Sequence, residues 1–173
     1  SKYFSWGISS SKLDNQDLII EMLNKKNKDE YKSKNGFKKF KKRNVLIKVR
    51  EKPGITYEIL SSENGPIISE NVYGIKSIQS DKIAIAFKWT GLSDKDTSLQ
   101  ALMDIMLSTN VDDAKKSLKH LIVPAFNILL ANKNKVEIIN SGQIPIRNKI
   151  NPLNYGVIPA LGGSNQKYWL GNY

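Results

Sequence analysis

An α+β fold is predicted, from three observations. Up to Trp89, short apolar runs are separated by Gly, Pro and Asn turns, the pattern of antiparallel strands. Between about residues 95 and 122 the apolar spacing lengthens to i, i+3, i+4, a helical period, and strand-like runs return after Pro124. The length, 173 residues, suits one domain with a real core.

The opening, Tyr3 to Leu23, reads as strand, turn, strand. Tyr3, Phe4 and Trp6 are strand formers, Gly7 and the run Ser9-Ser10-Ser11 break regularity, and Leu18-Ile19-Ile20 is a short run of buried-strand type. The turn carries Asp14 and Asp17. Two carboxylates and a free carbonyl in a turn suit a hard cation such as calcium. They equally suit a polar hairpin with solvated acids, since Asp and Asn are ordinary turn residues. The chain starts almost inside a strand, without Met or leader, so a fragment or a processed chain is expected.

Asn24 to Asn44 is polar, with an Asn35-Gly36 turn signal and three large apolar residues, Tyr31, Phe37 and Phe40. A surface hairpin pinned by its aromatics is expected there. Val45 to Val49 and Ile55 to Leu60 read as strands, with the Pro53-Gly54 turn between them. Asn64-Gly65-Pro66 is a turn, Ile67-Ile68 opens another strand, and Ile83 to Trp89 alternates cleanly.

Leu99, Leu102, Met103, Met106 and Leu107 form the apolar face of the first helix, with Ser93 and Asp96 as its capping pair. The second helix carries Ala114, Leu118, Leu121 and Ile122 on one face. Asn110 is its N-cap, Asp112 and Asp113 stand in its first turn, and Pro124 ends it. His120, the only histidine, reads as a surface residue rather than a catalyst. Phe126 to Ala131 and Val136 to Ile139 form a hairpin around Asn132 to Lys135. The Pro- and Gly-rich remainder, with Tyr168-Trp169, reads as a tail packed on a body.

Composition excludes several classes. With no Cys, no disulfide, thiolate nucleophile or zinc–thiolate site is possible. No apolar run approaches the ~20 residues of a membrane-spanning helix. The net charge of +11 invites a nucleic-acid or anionic-surface reading, but ten of the 27 basic residues lie in one run, Lys25 to Arg43, and the rest are scattered. Nucleic acid is therefore not the expected partner. One histidine offers no Ser/His/Asp set, and no phosphate-binding Gly loop occurs.

Six segments, taken in order, carry a resemblance. They are Ser5-Trp6-Gly7, Asn64-Gly65-Pro66-Ile67-Ile68, Pro124-x-x-Asn127 running to Ala131-Asn132, Val136-Glu137-Ile138-Ile139, Gly142-x-x-Pro145-x-Arg147, and Tyr168-Trp169-Leu170-Gly171. Together they resemble the penicillin amidase (penicillin acylase) family of N-terminal-nucleophile hydrolases. Asn64, where the family has His, and Asn132, where it has Asp, depart from the pattern.

The resemblance implies an internal segment of a catalytic chain, residues 1–173, contributing to an αββα sandwich. It implies an amide hydrolase matured by autoproteolytic processing of a zymogen, whose new N-terminal Ser is the nucleophile and whose α-amino group is the base. That Ser is expected upstream of Tyr3; Ser1 sits directly before the Ser-Trp-Gly strand, the wrong place for it. By motif match, the backbone N–H of Ser10 is an oxyanion donor. Asp14, the Gln16 carbonyl and Asp17 match calcium ligands, with the Pro152 carbonyl as a further one. The partners implied are the remaining chains of the same precursor and a small acyl-amide substrate, in the periplasm or outside the cell, with a role in antibiotic metabolism among the possibilities. The other readings are a stand-alone basic module binding nucleic acid or an anionic surface, and a non-catalytic relative.

Overall fold

A computed structural model of the protein describes residues 2–69, 80–148, 156–163 and 168–173. Among these the strands run β1 (Ser5–Ser10), β2 (Gln16–Met22), β3 (Glu30–Ser33), β4 (Gly36–Lys39), β5 (Lys41–Ile47), β6 (Ile55–Ser62), β7 (Gly65–Pro66) and β8 (Ile83–Trp89). Helices α1 (Ser98–Leu107) and α2 (Val111–Leu118) follow, then β9 (Phe126–Ala131), β10 (Val136–Ser141), β11 (Pro145–Arg147), β12 (Ala160–Leu161) and β13 (Trp169–Asn172). The fold is α+β, with mostly antiparallel strands. None of the described helices is long and apolar enough to cross a membrane. The described chain divides into two compact units: Ser1–Asn15, Trp89–Ile146 and Trp169–Tyr173 form one, Gln16–Lys88 and Arg147–Tyr168 the other.

In the first unit, β9 is the centre of an antiparallel sheet of order β1–β9–β10. β1 pairs with it from Ser5↔Ala131 to Ser10↔Phe126, and β10 from Val136↔Ala131 to Ser141↔Phe126. Strand side chains alternate between faces, so Ile128 and Leu130 share one face and pack with Phe4 against Ala101, Ile105, Val111, Ala114 and Leu118 of the helices. Each such aliphatic burial contributes about 1.5–3 kcal/mol. The opposite face leaves Leu129, Val136 and Ile138 exposed.

Five expectations are corrected here. Ser9 and Ser10 do not break the first strand; they are its last two residues. β1 and β2 are not a hairpin, because β1 pairs with β9 whereas β2 joins β8 and β12. The helical period of the first helix is right, but its face is not. α1 buries Ser98, Ala101 and Ile105 and leaves Leu99, Met103, Met106 and Leu107 exposed, with Leu102 half-buried. The reason is polar: Ser98 Oγ accepts from the N–H groups of both Ile122 and Val123 at 2.9 Å, which fixes the rotation of the helix. Asp96, not Ser93, supports the start of α1, its Oδ1 accepting from Ser98 N–H at 3.0 Å. α2 also ends at Leu118, well before Pro124. Its last turn tightens through Leu121 N–H to Leu118 O, and Ser141 Oγ donates to that same carbonyl at 2.7 Å. At its start, Asn110 caps as expected, accepting from Asp113 N–H at 2.9 Å.

In the second unit, β2 lies between β12 and β8. Ile19, Ala86 and Ala160 form its core, with Ile67 and Tyr168 packed on them. The β3–β4 hairpin turns at Gly36, whose φ of 113° suits glycine. Tyr31 and Phe40 are buried and stacked with centroids 4.9 Å apart, while Phe37 is exposed, so two of the three aromatics pin the hairpin. The strand expected at Val45 to Val49 starts earlier: β5 runs Lys41–Ile47 and pairs along its whole length with β6.

Candidate functional site

Ser10 closes β1, the edge strand of its sheet among the described residues. Just beyond it, Ser11 N–H donates to Ala125 O at 3.3 Å, so Ser11 and Ala125 are a hydrogen-bonded pair. Bonded and non-bonded pairs alternate along an antiparallel ladder. Ser9–Asn127 is therefore bonded, Ser10–Phe126 is not, and the Ser10 N–H points away from β9 into the open edge. Three residues earlier, Gly7 has open space where a side chain would stand. The strand thus presents a main-chain donor that the ladder does not use.

A polar row crosses the three strands at the same end: Ser9, Asn127 and Asn140 are register partners. Asn140 Nδ2 donates to Asn127 Oδ1. The Asn127 Nδ2 faces Ser9 Oγ at 3.5 Å and Ser10 O at 3.4 Å. In the sequence Asn127 is legible only as the last letter of Pro-x-x-Asn.

In the second unit, β2 turns Asp17, Ile19 and Glu21 to its buried side. Asp17 Oδ2 accepts from Arg147 Nε at 2.9 Å, Gln16 O accepts from Arg147 Nη2 at 3.3 Å, and Tyr168 OH lies 3.4 Å from Asp17 Oδ1. Asp17 is thus buried and ion-paired rather than solvated. Asp14 is exposed and belongs to the first unit. Ser1 and Pro152 lie outside the described residues. Asp14, Gln16 O and Asp17 offer oxygen donors, the type calcium takes, but Asp14 belongs to one unit and Gln16 and Asp17 to the other. Among the described residues no three His, Cys, Asp or Glu side chains come together as a metal site.

Glu21 is a residue that the motifs do not single out. It is fully buried; Oε1 accepts from Asn64 Nδ2 at 2.9 Å, and Lys88 Nζ donates to Asn64 Oδ1 at 3.4 Å. Glu21 Oε2 lies so close to Gly162 that any side chain there would collide with it. Burial holds the Lys88 ammonium below the usual lysine range, against the pull of Glu21, Asp17 and Glu63. A signal for Glu21 does exist in the sequence: acids spaced two either side of Ile19 in an apolar strand share its buried face. Asn64 is thereby the bridge between a buried acid and a half-buried base.

A family model described as penicillin amidase matches residues 1–173. The chain belongs to the penicillin amidase family. A penicillin amidase relative, the acyl-homoserine lactone acylase QuiP of Pseudomonas fluorescens, is 24% identical over 168 residues, which are 96% of this chain and 20% of that protein. The solved structure of a thermostable penicillin G acylase from Alcaligenes faecalis superposes with a TM-score of 0.81 at 20% identity, covering 99% of this chain and 29% of that one. The chain thus spans between a fifth and a third of the length of these relatives.

Proposed function

We propose that this chain is part of the catalytic chain of an N-terminal-nucleophile hydrolase that cleaves N-acyl amides. The observation that carries the reading is the Ser10 N–H, unused by the ladder and directed from the strand that bears Ser5-Trp6-Gly7 in a penicillin amidase family member. The names of the two relatives, one for acyl-homoserine lactones and one for penicillin G, support an N-acyl amide as the substrate class.

In this reading, the nucleophile is an N-terminal Ser of the parent polypeptide, outside these residues. Its hydroxyl attacks the amide carbon while its own α-amino group, with a pKa of about 8, takes the proton. The carbonyl oxygen gains charge and accepts a hydrogen bond from Ser10 N–H. The amine leaves with the proton, and water releases the acyl group from the ester. The remaining chains of the self-processed precursor are the partners, covering the apolar sheet face, and the parent works in the periplasm or outside the cell. By motif match, Asp14, the Gln16 carbonyl, Asp17 and the Pro152 carbonyl would hold a structural calcium; its contribution would be charge neutralisation and rigidity, not chemistry.

Ser10→Pro in the complete parent enzyme tests the proposal. It deletes an N–H that carries no ladder bond, at a strand edge where Pro is tolerated. The expected loss is about 10²–10³-fold in kcat, the usual worth of one oxyanion donor, with little change in melting temperature. An unchanged kcat on a panel of N-acyl anilides would overturn the role of Ser10.

A further inference from the structure

We infer that Asn127 and Asn140 are positioning residues for the Ser10 peptide. The inference rests on the oxyanion reading above and deepens it. Asn127 stands in β9, beside the end of β1, and its Nδ2 reaches both residues that flank the Ser9–Ser10 peptide: the Ser9 hydroxyl at 3.5 Å and the Ser10 carbonyl at 3.4 Å. An amide side chain can present either its oxygen or its NH2 to a neighbour. Here the choice is made by the third strand, because Asn140 donates to Asn127 Oδ1 and so turns the NH2 toward β1. A backbone donor aimed at a developing charge is effective only when it is held in place beforehand. Among the described residues β1 is an edge strand with a ladder on one side only, so its last residues need such a hold. The row Asn140–Asn127–Ser9 supplies it across the sheet.

The sheet itself does not need these side chains. Its pairing rests on the backbone ladder, and its apolar core lies on the other face, with Ile128 and Leu130. A purely structural role therefore predicts a change in melting temperature, and a positioning role a change in kcat with KM preserved.

The experiment uses the complete, processed parent enzyme and chromogenic N-acyl anilides, with Asn127→Ala, Asn140→Ala, the double variant, and Ser10→Pro in parallel. Asn127→Ala is expected to lower kcat about tenfold or more with KM within twofold, and Asn140→Ala to lower it less. The double variant should be no worse than Asn127→Ala alone, because Asn140 acts only through Asn127; residues acting through one another fail to add. Asn127→Gln, which keeps the donor, should restore part of the loss. Additive effects, a loss confined to KM, or unchanged kcat in Asn127→Ala overturns the inference. If Ser10→Pro keeps its kcat, the oxyanion reading fails and this inference with it. If Ser10→Pro loses activity while Asn127→Ala does not, only the positioning role falls. Should Asn127→Ala not fold, Asn140→Ala against Ser10→Pro decides the same question.

Discussion

Glu21 is a buried charge of the second unit and Lys88 a half-buried one, and Asn64 stands between them. Removing one partner of a buried ionic set leaves an uncompensated charge, typically at a cost of about 3–5 kcal/mol. The pH dependence has a defined sign. The folded state holds the Lys88 pKa below its ordinary 10.5. Between the lowered value and 10.5, the unfolded chain binds more protons than the folded one, so this group makes stability rise with pH through that window. Below the lowered value the cost of partly burying its charged form no longer changes with pH. Chemical denaturation at a series of alkaline pH values should show that positive contribution, and Lys88→Met, which cannot titrate, should remove it. An identical pH slope in both proteins would contradict the assignment.

α1 shows how far an element can be read from sequence and where the reading stops. Its helical period is plain, and so are the strands β8 and β9, whose bounds agree with the expected Ile83 to Trp89 and Phe126 to Ala131. Periodicity says that a helix has an apolar face; it does not say which body covers that face. The rotation of α1 is decided by two backbone N–H groups, at Ile122 and Val123, that need an acceptor, and Ser98 is short enough to reach them. The same limit applies at the site. Motif spacing singles out Ser10, Gln16 and Asp17, but the partners Arg147, Asn127 and Asn140 come from β-register and long-range contacts that spacing does not encode. Ser98→Ala should therefore destabilise the first unit by about 1–3 kcal/mol through the unpaired donors. Met106→Ser, on the exposed face, should stay within about 0.5 kcal/mol. Urea melts of the two variants check this; equal losses would mean that the outward face of α1 is the one that matters.

At the scale of the whole molecule, apolar surface is left open at Leu99, Met106 and Leu107 of α1 and at Val136 and Ile138 of β10, each at least 68% exposed. Patches of this kind mark interaction faces, and the chain spans only 29% of the solved relative and 20% of the curated one. Function is accordingly expected of the larger assembly. The 173 residues alone, free of other chains, should hydrolyse no N-acyl amide; turnover by that preparation, verified by intact mass, would refute the placement of the nucleophile elsewhere. The proposed calcium gives a second test on the parent enzyme. Metal analysis should find about one calcium per molecule, and a chelator should lower the melting temperature, with recovery on adding calcium back, as for any ligand bound only by the folded state. A melting curve indifferent to chelator would remove calcium from the account.

The contact between Gly162 and Glu21 has a consequence for descent. With Glu21 in its present rotamer there is no room for a β-carbon at Gly162, so Gly162 is held by Glu21, whereas Glu21 can shorten while Gly162 stays. A homologue with a side chain at the position of Gly162 should therefore carry, at the position of Glu21, an acid that is shortened, lost or turned to another rotamer.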